Sequence, residues 1–110
     1  MGAHAALTTA EDGVADAVAE WQARRDLILD ELAGLPVVVP DGGWSMLVDA
    51  QALGTDAPAL SQALLENGRI AATPMTAWGE TVAPRHVRLV YANEPLARLR
   101  GIGDRVRAAL

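Results

Sequence analysis

The amino-acid sequence predicts an α+β fold: a small, mostly antiparallel sheet of about four strands with helices packed on one face, led by a long N-terminal helix. Three observations carry this. Val87, Leu89 and Tyr91 alternate with His86, Arg88 and Val90, the period of two that sends neighbouring side chains to opposite faces of a strand. Val14, Val18, Trp21, Leu27 (or Ile28) and Leu32 recur at near-helical spacing. Short apolar runs elsewhere are separated by Gly, Pro and Asn turn signals. The resulting order is α-β-β-α-β-β-α in a single domain over residues 1–110, without internal repeat or low-complexity segment.

The segment before the first helix, MGAHAALTTA, reads as a frayed arm or a cloning remnant. Thr9 or Thr8 can cap the long helix, with Glu11 and Asp12 in its first turn, where the dipole favours anions. Gly34 stops it. Within it, Arg24–Arg25–Asp26 reads as a solvated turn rather than a phosphate site. Leu35 to Val39, bounded by Pro36 and Pro40, is an edge strand. Asp41–Gly42–Gly43 turns the chain into a second strand, Trp44 to Asp49, with Trp44, Met46 and Val48 on one face. Asp56 caps a helix through Leu60, Leu64 and Leu65, with Pro58 in its first turn. Asn67–Gly68 closes that helix and launches a strand over Arg69 to Thr73. A loop from Pro74 to Pro84 leads into the strand His86 to Ala92. The last helix begins at Asn93–Glu94–Pro95 and aligns Leu96, Leu99, Ile102, Val106 and Leu110 on one stripe, although Gly101 and Gly103 weaken its middle.

Composition narrows the chemistry. An apolar fraction of 51% against 21% charged residues suggests that some apolar surface is meant to be covered by another chain or domain. The net charge of −5 argues against nucleic acid and anionic membranes as partners. No apolar run approaches the ~18 residues of a membrane span, and no export signal is visible. The absence of Cys fits a reducing cytoplasm and removes thiolate chemistry. All nine basic residues are arginines, so no lysine amine is available for a Schiff base. Two histidines, His4 and His86, cannot assemble a histidine-rich metal cluster, and Ser45 and Ser61 sit on no strained turn that would make a nucleophile.

What remains is Arg88. A guanidinium in mid-strand among apolar neighbours is costly unless something anionic meets it. It reads either as an arginine on a solvated sheet face or as a planar fork for both oxygens of a carboxylate. Trp44 and Trp78 could form a stacking wall, though isolated aromatics at sheet positions usually belong to a core.

Four ordered motifs then suggest a family: Pro40-Asp41-Gly42-Gly43-Trp44; Leu64-Leu65-Glu66-Asn67-Gly68; Ala71-Ala72-Thr73-Pro74-Met75-Thr76-Ala77-Trp78-Gly79; and His86-Val87-Arg88-Leu89-Val90-Tyr91-Ala92-Asn93. Together they resemble the C-terminal small domain of class I/II aminotransferases, pyridoxal-phosphate enzymes of fold type I. The long helix resembles the segment leading from the large domain into the small one, and the likeness runs from about Leu7 to Leu110. The Ala-Ala-Thr-Pro-Met-x-x-Trp-Gly version is more similar to methionine-, kynurenine- or aspartate-type branches than to histidinol-phosphate ones. The resemblance implies that Arg88 grips the α-carboxylate of an amino-acid or keto-acid substrate. It also implies that Thr76, Ala77, Trp78 and Gly79 border the substrate entrance and that the Gly42–Gly43 turn is structural, with Trp44 near the substrate at most. The cofactor apparatus of that family lies in its large domain, and the lysine-free chain matches only the small one. The expectation is therefore a detached or truncated small domain, binding no cofactor alone, catalytically incompetent alone, and partnered by a large domain or by itself. The alternative is a non-catalytic binding or assembly module that keeps the fold.

Overall fold

The computed structural model describes residues Gly2–Leu110. Its helices are α1 (Gly2–Thr8), α2 (Val14–Glu31), α3 (Ala57–Gly68), α4 (Leu96–Leu99) and α5 (Ile102–Ala109), and its strands are β1 (Val37–Val38), β2 (Ser45–Asp49), β3 (Thr73–Pro74) and β4 (His86–Val90). The strands form one antiparallel sheet in the order β1-β2-β4-β3. This is the expected α+β architecture.

The two central strands set the register. Met46 lies opposite Leu89 and Val48 opposite Val87, so the apolar phases of β2 and β4 coincide. Their side chains meet Ile28 and Leu32 of α2, Leu60 and Leu64 of α3, and Leu99, Ile102 and Val106 of α4–α5 in one buried cluster. Tyr91 is fully buried, and its hydroxyl donates to the Gly43 carbonyl at 3.0 Å, tying the β1–β2 turn to the end of β4. The opposite face of β2 and β4, with Ser45, Leu47, Arg88 and Val90, contributes none of these side chains to that cluster and is half-buried to exposed.

Four expectations need correction. The strand expected over Arg69 to Thr73 is reduced to Thr73–Pro74, because Arg69, at φ +53°, is still the C-terminal cap of α3. The segment read as a frayed arm is helical over Gly2–Thr8, and the long helix begins only at Val14. Gly13, at φ +74°, separates α1 from α2 and is the N-cap residue of α2 without a side-chain cap, so no threonine caps it; the Asp12 carboxylate just before it accepts from the Val14 N–H at 3.0 Å. Thr8 and Thr9 instead donate back to the His4 and Ala5 carbonyls, finishing α1. The Arg24–Arg25 pair is not solvated either. Arg24 reaches the Ala92 carbonyl and Glu20, and Arg25 Nε donates to the Pro40 carbonyl at 2.8 Å, so both guanidiniums clamp α2 to the ends of the sheet. The last helix is broken at Gly101 (φ +76°), and its stripe ends on buried Ala109 while Leu110 is exposed.

The break lets α5 approach α2 closely. A Cβ on Gly103 would collide with the Glu31 carbonyl oxygen. Glu31 in turn accepts from the Gly101 and Gly103 N–H groups at 3.0 and 3.1 Å, capping α5. These two N–H groups hold its carboxyl below the usual value of 4.5. Arg107 returns the favour by donating to the Glu31 and Ala33 carbonyls at the C-terminus of α2.

Candidate carboxylate site on the open face of the sheet

β4 fixes Arg88 in its middle, opposite Leu47 of β2 and Thr73 of β3. Because Val87 and Leu89 must face the helices, the period of two sends Arg88 to the open face. There the side chain is half-buried, and its Nε is shut off from solvent without a hydrogen-bond partner. The described ion pairs leave Arg88 out. Its guanidinium carbon stands 4.8 Å from the centroid of the Trp78 ring. A cation over an indole face is attracted by about 0.5–1 kcal/mol at such a partly exposed position. The stack orients the fork and still leaves guanidinium donors unused.

Trp78 reaches Arg88 from the loop between β3 and β4. Met75 anchors the start of that loop: it is buried, and its N–H donates to the His86 carbonyl at 2.9 Å. Trp78 N–H closes a turn on the Met75 carbonyl at 3.1 Å. Gly79 follows at φ +153°, a region that L side chains rarely adopt. At 59% exposure Trp78 belongs to no core; neither does Trp44 at 54%.

Asp49 holds the far end of the loop. Its carboxylate pairs with Arg85, at 3.0 Å to Nε and with Nη2 as well, while also accepting from the Ala52 N–H. Arg85 draws the Asp49 carboxyl below its usual 3.8, and Asp49 raises the Arg85 guanidinium in return. His86 Nδ1 lies 2.9 Å from the Val82 carbonyl. Sequence reasoning missed the Asp49–Arg85 pair, whose members stand 36 residues apart.

Arg88, Trp78 and Gly79 are thus brought together on one side of the sheet. Gly42, Gly43 and Trp44 belong to the β1–β2 turn, outside the Arg88–Trp78 stack. Among the described residues no group of His, Asp and Glu could hold a metal ion.

Comparison with known proteins decides the ancestry. The family model "Aminotransferase class I and II" matches residues 2–106. The chain belongs to the class I and II aminotransferases. A curated relative, the probable aspartate/prephenate aminotransferase of Aquifex aeolicus, is 36% identical over 97 residues, 82% of this chain and 23% of that protein. The aspartate aminotransferase of Musicola paradisiaca is 35% identical over 84 residues, 73% of this chain and 21% of that protein. Among solved structures, the Thermus thermophilus aspartate aminotransferase with maleate superposes with a TM-score of 0.80 at 34% identity, covering 96% of this chain and 28% of that one. The aromatic aminotransferase of Pyrococcus horikoshii gives 0.82 at 27% identity, over 92% and 28%. This chain therefore spans less than a quarter of the length of those curated relatives. Aminotransferases of this family use pyridoxal phosphate. These 110 residues contain no lysine amine to form a Schiff base with that group.

Proposed function

We propose that this chain is the substrate-gripping part of a pyridoxal-phosphate aminotransferase, with Arg88 holding the carboxylate of the amino-acid or keto-acid substrate. The observation that carries the reading is the half-buried Arg88 guanidinium on the open face, with an unpartnered Nε and no acidic neighbour in an ion pair. A positive charge placed so gains most when a carboxylate arrives and pairs with it. The Thermus relative that carries maleate, a dicarboxylate, is in keeping with this chemistry. Trp78 stacks on the guanidinium and narrows the directions from which an anion can approach it. Gly79, beside Trp78, borders the approach to the guanidinium in this reading. The chain itself binds and orients; the lysine and the rest of the cofactor chemistry belong to residues outside these 110.

A large domain docks, in this reading, on the surfaces left uncovered. The N-terminal half of α2 exposes Val14, Val18 and Trp21, and the open sheet face exposes Val38 and Val90. Residues 1–110 act as one unit, and the cysteine-free composition suits a cytoplasmic enzyme.

The test is a chimera in which this chain replaces the matching 28% of the Thermus thermophilus enzyme. Amino-acid-dependent transamination is expected. Arg88→Ala should raise the KM for amino acid by about a hundredfold, since removing one partner of a buried charge pair costs roughly 2–5 kcal/mol. An active chimera indifferent to Arg88→Ala would remove Arg88 from the reaction.

The same uncovered apolar stripe favours a second reading, a non-catalytic assembly module that seals its surface by self-association. Sedimentation of the chain alone as a clean monomer would count against it.

A further inference from the structure

A cleft of about 150 Å³, lined by neither Arg88 nor Trp78, opens between the end of β4 (Leu89 and Val90), the segment after α3 and the α4–α5 pair. Its floor is apolar: Ile28, Ile70, Leu89, Leu99 and Ile102, all buried. Its rim is cationic, with Arg69, Arg98 and Arg105 against the single carboxylate of Glu94. In a chain of net charge −5, three of the nine arginines meet at this one opening. Glu94 neutralises one of them by pairing with Arg98 at 3.1 Å. Arg105 has only a long contact, 3.4 Å, to the Arg98 carbonyl, and the described hydrogen bonds and ion pairs leave the Arg69 side chain unpartnered.

Arg69 is also where the backbone is strained. It is the one non-glycine residue with positive φ (+53°) among the described residues, at the C-terminal cap of α3. Gly68 would suit that conformation better but is used elsewhere. It packs against α5 so closely that a Cβ there would lie 3.2 Å from the Arg105 carbonyl oxygen. The left-handed residue therefore falls one place later, on an arginine at the rim of the cleft.

The geometry points to a second ligand site in this cleft, for a small organic carboxylate with an apolar body, held by Arg69 and Arg105 above the aliphatic floor. A partly open cleft of about 150 Å³, cationic at the rim and aliphatic at the floor, has room for a benzene-sized body. Two guanidiniums without carboxylate partners supply the fork for the acid group. The site does not depend on the role of Arg88, which is not among its lining residues.

Benzoate is the probe, titrated into the isotope-labelled chain while amide chemical shifts are followed. Saturable shifts are expected at Arg69, Ile70, Ala71 and Leu99, and they should persist in Arg88→Ala. Arg69→Gly removes the guanidinium and places the best residue for positive φ at that position. The variant should melt no lower than the parent yet bind benzoate about tenfold more weakly or worse, the effect of losing one charge-assisted hydrogen bond. Benzyl alcohol, equal in body but uncharged, should shift the same amides only weakly. Any of three results would overturn the proposal: no saturable shifts, shifts centred on Trp78 and Arg88, or equal binding of benzoate by parent and Arg69→Gly. Equal response to benzyl alcohol would overturn it as well, leaving an apolar cavity without an anion site.

Discussion

On the helix-covered face of the sheet, Val87, Leu89 and Tyr91 are sealed beneath α2–α5, and the polar atom among them, the Tyr91 hydroxyl, has a partner in the Gly43 carbonyl. On the other face of the same strand, Arg88 keeps a buried nitrogen without a partner, and Trp78 stacks on it while facing solvent. Helix α2 repeats the contrast along its length. Ile28 and the following Leu32 are buried, whereas Val14, Val18 and Trp21 are bare. One half of the molecule is packed, and the other is left bare. Apolar periodicity is the same in both halves, and only the surroundings tell them apart.

The contrast can be broken by substitution. The largest effect is expected in the sealed half: Leu64→Ala, at a site 1% exposed, should cost about 2–5 kcal/mol in denaturant unfolding. Tyr91→Phe should cost about 1 kcal/mol, the net worth of its single hydrogen bond to Gly43. A loss several times larger would mean that the hydroxyl serves more than the turn.

Acid should act on the sealed half through Glu31, whose carboxyl lies below the usual 4.5 because the Gly101 and Gly103 N–H groups bind its anion. A depressed value means that the contribution is full above the unfolded value and is lost as the pH falls below about 4.5 through the folded one. The melting temperature should therefore decline over that window, and Glu31→Gln should make the decline shallower. Asp49, held down by Arg85, leaves a residual slope in the same direction. Identical declines in parent and variant would show that the cap does not hold α5 to α2.

In the open half the expected changes are smallest. Trp21→Ser should move stability by no more than about 0.5 kcal/mol, and Arg88→Leu should be neutral or slightly stabilising in the isolated chain. A large loss from either would mean that this side contributes to folding after all.

Much of this was legible in the sequence, for a physical reason. The period of two fixed the phase of β4 and the outward placing of Arg88, because a strand offers only two faces. The Asp56 cap appeared as expected, accepting from the Ala59 N–H at 2.8 Å. Illegible were the contacts between distant residues, such as Arg24 with Ala92 across 68 positions and Glu31 with Gly101 across 70. No local spacing encodes such pairs. Helical spacing likewise could not reveal that Val14, Val18 and Trp21 lack a cover, since a stripe awaiting a partner has the same period as one already buried. The displaced turn at Arg69 was hidden because Asn67–Gly68 looks like a helix stop until the packing of α5 on Gly68 is known.

The most direct measurement is a crystal structure of the Thermus chimera with maleate. Both oxygens of one maleate carboxylate are expected within about 2.7–2.9 Å of the Arg88 guanidinium nitrogens, with Trp78 stacked alongside. Maleate bound elsewhere, with Arg88 directed into solvent, would contradict the account.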